Sequence, residues 1–151
     1  MNANTIHDEH RSILGQVRDL SEDLEGYEVE KRADQFAWKV RDLGLKLKRH
    51  FQGERDGLYG RLLREGDAVT RSLTHLCITE ARTAEEELDS YLRQWMVPLH
   101  IQRDPEGFRT ATRTLLRCVG RRTGREEREL LPRLKELETR ALMQSARAIS
   151  A

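Results

Sequence analysis

At 151 residues the chain has the length of one ordinary domain, enough for a single hydrophobic core and too short for two. Its 27 Lys plus Arg nearly balance 26 Asp plus Glu, and a formal net charge of +1 removes the broad electrostatic case for a nucleic-acid binder. Hydrophobic residues at 37%, charged residues at 35% and aromatics at 5% suit amphipathic helices and not a β-sandwich, and no apolar run approaches the ~20 residues that span a bilayer.

Apolar residues recur at spacings of three and four, the period of a helix face packed in a bundle. The first seam is Ile6, His10, Ile13, Val17, Leu20, Leu24, with Asn4 or Thr5 as N-cap and Gly26 as a stop. The second is Val29, Ala33, Phe36, Val40, Leu43, Leu47, His50, Glu54, Leu58, running to about Leu63 and ended by Gly66-Asp67. Gly44, Gly53, Gly57 and Gly60 fall inside it. Each costs roughly 1 kcal/mol against Ala, so either a neighbour approaches closely there or the helix breaks. The third seam is Leu73, Cys77, Ala81, Ala84, Leu88, Tyr91, Trp95, broken before Pro98 and followed by a loop from about Val97 to Arg103. Asp104-Pro105 reads as an N-cap with proline at the first helical position. The fourth seam then runs Phe108, Thr112, Leu115, Val119, Arg122, Glu126, Leu130, Leu134, Leu137, with Pro132 expected to kink it. The pattern predicts an all-α, up-down-up-down four-helix bundle in one domain over residues 1–143, with 144–151 as a fraying C-terminal tail.

The informative seam positions are those that are not apolar. His10 lies on the first seam, His50 and Glu54 on the second one turn apart, and Arg122 and Glu126 on the fourth with the same spacing. An isolated buried carboxylate costs several kcal/mol unless it is paired or binds a metal. Inward carboxylates and imidazoles from three helices therefore call for a compensating cation, either a metal ion or a structural polar layer. Imidazole plus carboxylate without thiolate suits iron, manganese or zinc.

These residues resemble the hemerythrin/HHE cation-binding family, four-helix bundles with a non-haem di-iron centre. Glu9-His10-Arg11 matches its helix-one histidine, and His50-Phe51-Gln52-Gly53-Glu54, followed by Leu58-Tyr59, matches its His-x-x-x-Glu on helix two. Arg122-Thr123-Gly124-Arg125-Glu126, followed by Leu130-Leu131-Pro132, matches the helix-four motif, with arginine where the family has histidine. On helix three, two residues compete for the ligand position. His75 is a candidate by its distance after His50, whereas Glu80-Ala81-Arg82 repeats the helix-one phrase on the seam with alanine for histidine. The resemblance spans roughly residues 5 to 137 and implies metal ligation by His10, His50, Glu54 and Glu126, with His75 as the fifth candidate.

Because arginine has no lone pair to give a metal, the resemblance implies a degenerate centre holding one iron or none, with the Arg122 guanidinium paired to Glu54 and Glu126 where a second ion would lie. Reversible oxygen binding of the family's kind needs two irons and is not expected. The implied role is oxygen, redox or metal sensing, with oxygen or peroxide as the small partner; the alternative is a metal-free bundle serving as a protein-interaction module. Nothing in the sequence names an enzymatic substrate.

Other features have plainer readings. His7 is an auxiliary candidate at the seam's edge, His100 a loop residue, and Trp38 and Trp95 packing residues. Arg109, Arg113, Arg117 and Arg121 form a basic stripe for which Glu85, Glu86, Glu87 and Asp89 offer counter-charge. Cys77 and Cys118 are expected as free thiols in a reduced cytoplasmic protein, since the stretch Met1 to His10 has no signal-peptide character.

Overall fold

The computed structural model describes residues 1–26 and 28–150, and these are helical almost throughout, with no strand among them. Helix α1 spans Ala3–Leu24, α2 Ala33–Glu54, α3 Arg61–Glu65, α4 Ala68–Trp95, α5 Pro98–Arg103, α6 Pro105–Arg125 and α7 Leu131–Ser150. A π-helical turn, Arg55–Gly60, joins α2 to α3, and a second, Glu126–Leu130, joins α6 to α7, so each pair continues as one rod. Helix α1 packs on α2, α6 and α7, α2 on α4, and α4 on α6, giving the four-helix bundle that the seams predict.

Three side-chain caps set the helix starts. Asn2, two residues ahead of Asn4 and three ahead of Thr5, accepts from the Thr5 amide at 2.8 Å, Asp67 from Thr70 at 2.8 Å and Asp104 from Gly107 at 2.9 Å. The expected loop after Val97 is instead helix α5. Pro98 pre-sets its first turn, Ile101 is fully buried against the core, and the His100 Nδ1–H donates to the Gln94 carbonyl at 2.6 Å.

The core divides into two apolar clusters. The larger centres on Phe36, Phe108 and Trp95, whose rings meet at 5.6 and 5.5 Å between centroids, and includes Ile13, Leu47, Leu88 and Val119. The smaller gathers Ala3, Ile6, Leu58, Leu62, Ala81, Leu130 and Leu134 at the other end. Along every rod the seam passes from one cluster to the other through the level of His10, His50, Glu54 and Glu126.

Both readings of the second-helix glycines hold at once. A β-carbon at Gly44 would lie 2.5 Å from Leu92 Cδ2, so this glycine admits α4 closely; at Gly53 and Gly57 it would strike the Met1 side chain, and Gly57 and Gly60 lie within the π-turn. Trp38 is not a packing residue: it is 61% exposed, with the Arg41 guanidinium stacked on its ring. The acidic run on α4 is met by Lys48 of α2 on Asp89 and by Arg55 of the first π-turn on Glu85, and not by the basic stripe of α6. Helix α7 stays helical through most of the expected tail, to Ser150, and residues 139–150 are all exposed.

Phe108 has no exposure and touches both Phe36 and Trp95, so Phe108→Ala should lower the unfolding free energy by about 3–5 kcal/mol in urea titrations.

Candidate metal centre

His10 comes from the middle of α1, His50 and Glu54 from the last turns of α2, and Glu126 from the turn that ends α6. All four side chains are buried, and one ligand atom from each lies within 4.8 Å of the others. His50 Nε2 is 2.5 Å from Glu54 Oε1, while His10 Nε2 is 3.3 Å from that same oxygen and 3.1 Å from Glu126 Oε2. Donors about 2.1 Å from one ion stand roughly 3.0–4.2 Å apart, so to meet one the widest spacing here must close slightly and the 2.5 Å His50–Glu54 pair must open.

Each imidazole is fixed from behind. His10 Nδ1 bonds Glu127 at 2.7 Å and His50 Nδ1 bonds Glu9 at 2.7 Å, which turns both Nε2 atoms toward Glu54. A carboxylate on the far nitrogen of a ligating histidine sets the tautomer and raises its basicity. His7 joins this outer layer, 3.0 Å from Glu127, and not the four central side chains.

The opposite side of the carboxylates is closed by Arg122 and Tyr59. Arg122 Nη2 lies 3.4 Å from Glu126 Oε1, 3.6 Å from Glu54 Oε2 and 3.0 Å from the Tyr59 hydroxyl. The Tyr59 O–H donates to Glu126 Oε1 at 2.6 Å, and the guanidinium carbon stands 4.3 Å from the centroid of the Phe51 ring. Arg122 Nη1 is buried without a partner, the one orphaned donor of this cluster among the described residues. The guanidinium thus neutralises the carboxylate edge that faces away from the histidines, as expected from arginine's place in the motif.

The π-turns explain why Tyr59 belongs here. In an α-helix a residue five positions after Glu54 is rotated about 140° from it. The wider turn over Arg55–Gly60 draws Tyr59 back toward the face of Glu54, and their side-chain oxygens stand 3.5 Å apart. The second π-turn starts at Glu126 and precedes Pro132, which has no N–H for the helix ladder, so the expected kink is taken up as a widened turn.

The model of the hemerythrin HHE cation-binding domain matches residues 2–134. The chain belongs to that family. No curated protein and no solved structure matches it. Within the hemerythrin pattern, His10, His50, Glu54 and Glu126 converge, whereas His75 lies on the exposed face of α4 outside the group, so the structure does not support it as a ligand. Ala81 faces inward instead, packed with Tyr59 and Leu130. Sequence reasoning missed Tyr59 and the outer carboxylates Glu9 and Glu127. The two glutamates adjoin His10 and Glu126 in the matched motifs, and that adjacency was their signal.

Charge balance in this hemerythrin-like centre is tight. Burial works against the His10 imidazolium, yet bonds to Glu126, Glu54 and Glu127 outweigh it and raise its pKa to about 10. His50 is likewise opposed by burial and raised by Glu54 and Glu9. Burial favours neutral Glu54, but the His10 and His50 donors hold it well below the usual carboxylate range. Burial and the Glu54 charge push Glu126 up to about 7. In metal-free protein the raised His10 pKa gives stability that is full below pH 6.5 and lost as pH rises through about 10. Glu126 acts in the same direction, its contribution full below pH 4.5 and lost through about 7. Urea midpoints of metal-free protein should therefore fall between about pH 5 and about pH 10. In His10→Gln the part of that slope above pH 7 should become shallower, His50 supplying what remains.

Proposed function

We propose that the protein holds a single iron ion through His10, His50, Glu54 and Glu126 and acts as a degenerate hemerythrin-like sensor of oxygen, redox state or metal supply in the cytoplasm. The observation that carries this reading is Arg122. Its guanidinium pairs with the carboxylate edges that would face a second ion, and on α4 the inward residue packed in the cluster with Tyr59 is Ala81. A permanent cation there leaves room for one metal and stabilises the two carboxylates whether or not the ion is bound. Two imidazoles and two carboxylates without a thiolate favour iron or a similar divalent ion, which would supply redox chemistry toward oxygen or peroxide. The chain's own residues orient and insulate: Glu9 and Glu127 hold the imidazoles, Tyr59 holds Glu126, and the two apolar clusters exclude water on either side.

A metal-free interaction module is the competing reading, favoured by the hydrogen bonds through which the four side chains satisfy one another. Elemental analysis separates the two. Protein produced with ferrous iron should carry one equivalent per chain, and Glu54→Ala should carry less than about a tenth of that. At an iron concentration about 100 times Kd, loading should stabilise the fold by about 2.7 kcal/mol. Two equivalents, or none with no thermal shift, would overturn the proposal.

Restoring imidazoles tests the role of arginine directly. The double variant Ala81→His/Arg122→His should raise the bound iron from one equivalent to two. It should also replace the paramagnetic resonance of an isolated ferric ion by the silent ground state of a coupled pair. Retention of one equivalent would show that the guanidinium does not stand in for an ion.

A further inference from the structure

Where α4 presents Ala81 instead of a ring, the wall of the bundle is open. A groove of about 290 Å³ lies over this position, with Tyr59, Leu63, Ile78 and Ala81 among its lining and Arg55, Arg82 and Glu85 at its mouth. Tyr59 and Ala81 are buried and Leu63 and Ile78 half-buried, so the floor is apolar and close to the core. Tyr59 separates the groove from the centre, since its hydroxyl is bonded to Glu126 and Arg122.

The mouth is cationic. Arg55 is paired with Glu85 across it, whereas Arg82 makes no ion pair or side-chain hydrogen bond among the described residues. Two guanidinium groups against one carboxylate leave a net positive rim above an apolar floor. That combination rejects cations and leaves a purely polar anion such as phosphate without a partner for the floor. It complements a molecule with one carboxylate and a compact apolar body, because a guanidinium fork matches a carboxylate and the body covers the floor. A groove of this size accommodates a compact ligand such as a single aromatic ring bearing a carboxylate.

We propose that this groove is a binding site for a small organic acid, its carboxylate on Arg82 and its apolar body on Leu63, Ile78 and Ala81. The site does not require the ion at His10, and chelator-treated and iron-loaded protein both bind the acid.

Benzoate is the probe, titrated into both forms by calorimetry, with neutral benzamide as comparator and metal content measured on the same samples. Saturable binding with a Kd of about 1 mM or tighter is expected. Arg82→Gln, a surface change, should weaken benzoate about fivefold, leave benzamide unchanged and keep full metal content. Ala81→Leu, which fills the groove, should weaken benzoate at least tenfold. Absence of saturable binding, equal affinity for benzamide, or an unaltered Kd in Arg82→Gln would overturn the site. Because stripped protein is titrated too, a failure of iron loading leaves this outcome readable.

Discussion

Glu54 and Glu126 lie inside the bundle with almost no contact with water, and carboxylates so placed must be met by cations or protons. Two solutions stand on opposite sides of them. On one side are the Nε2 atoms of His10 and His50, which accept either a proton or a metal; on the other is Arg122, which stays charged in every circumstance. The rest of the architecture follows from this layer. It divides the apolar core in two, and it needs outer glutamates to aim the imidazoles and a tyrosine to hold Glu126. This chain departs from the family's pattern at two inward positions, with Arg122 paired to both carboxylates and Ala81 packed beside Tyr59.

Helix geometry is adjusted to serve the layer. Both carboxylates stand where an α-helix gives way to a π-turn. A regular helix places residues three and four apart on one face, whereas a turn one residue wider also brings in the fifth, which is how Glu54 and Tyr59 share a side. The second widened turn absorbs the missing amide of Pro132, so a local defect of the sequence coincides with the place where Glu126 must reach the core. Gly53 and Gly57 let the Met1 side chain lie against the first of these turns.

Much of this was legible in the sequence because seam arithmetic asks only which positions face inward. His10, His50, Glu54 and Glu126 broke an apolar pattern in register, and the buried set along all four seams agrees closely with the residues read from spacing. Residues whose orientation depends on a departure from ideal geometry were not legible. Tyr59 falls on the wrong side of a regular helix, and α5 has too few residues to show a period, its signal being one buried Ile101 after a proline. Trp38 shows the opposite failure: its size suggests packing, yet it lies off the seam and is covered on one face by Arg41 alone. For the third-helix position the seam was the better guide than distance along the chain, since Ala81 is inward and His75 is not.

The outer carboxylates lead somewhere else. Glu9 and Glu127 bond the buried imidazoles directly, yet their side chains are 38% and 29% exposed. A counter-ion, a change in ionic strength or a positively charged surface placed against α1 alters the charge felt at these two glutamates, over distances within a Debye length. The electron density available at His10 and His50 changes with it. The enclosed centre is thus joined to the solvent through two part-exposed carboxylates, one on α1 and one on the second π-turn.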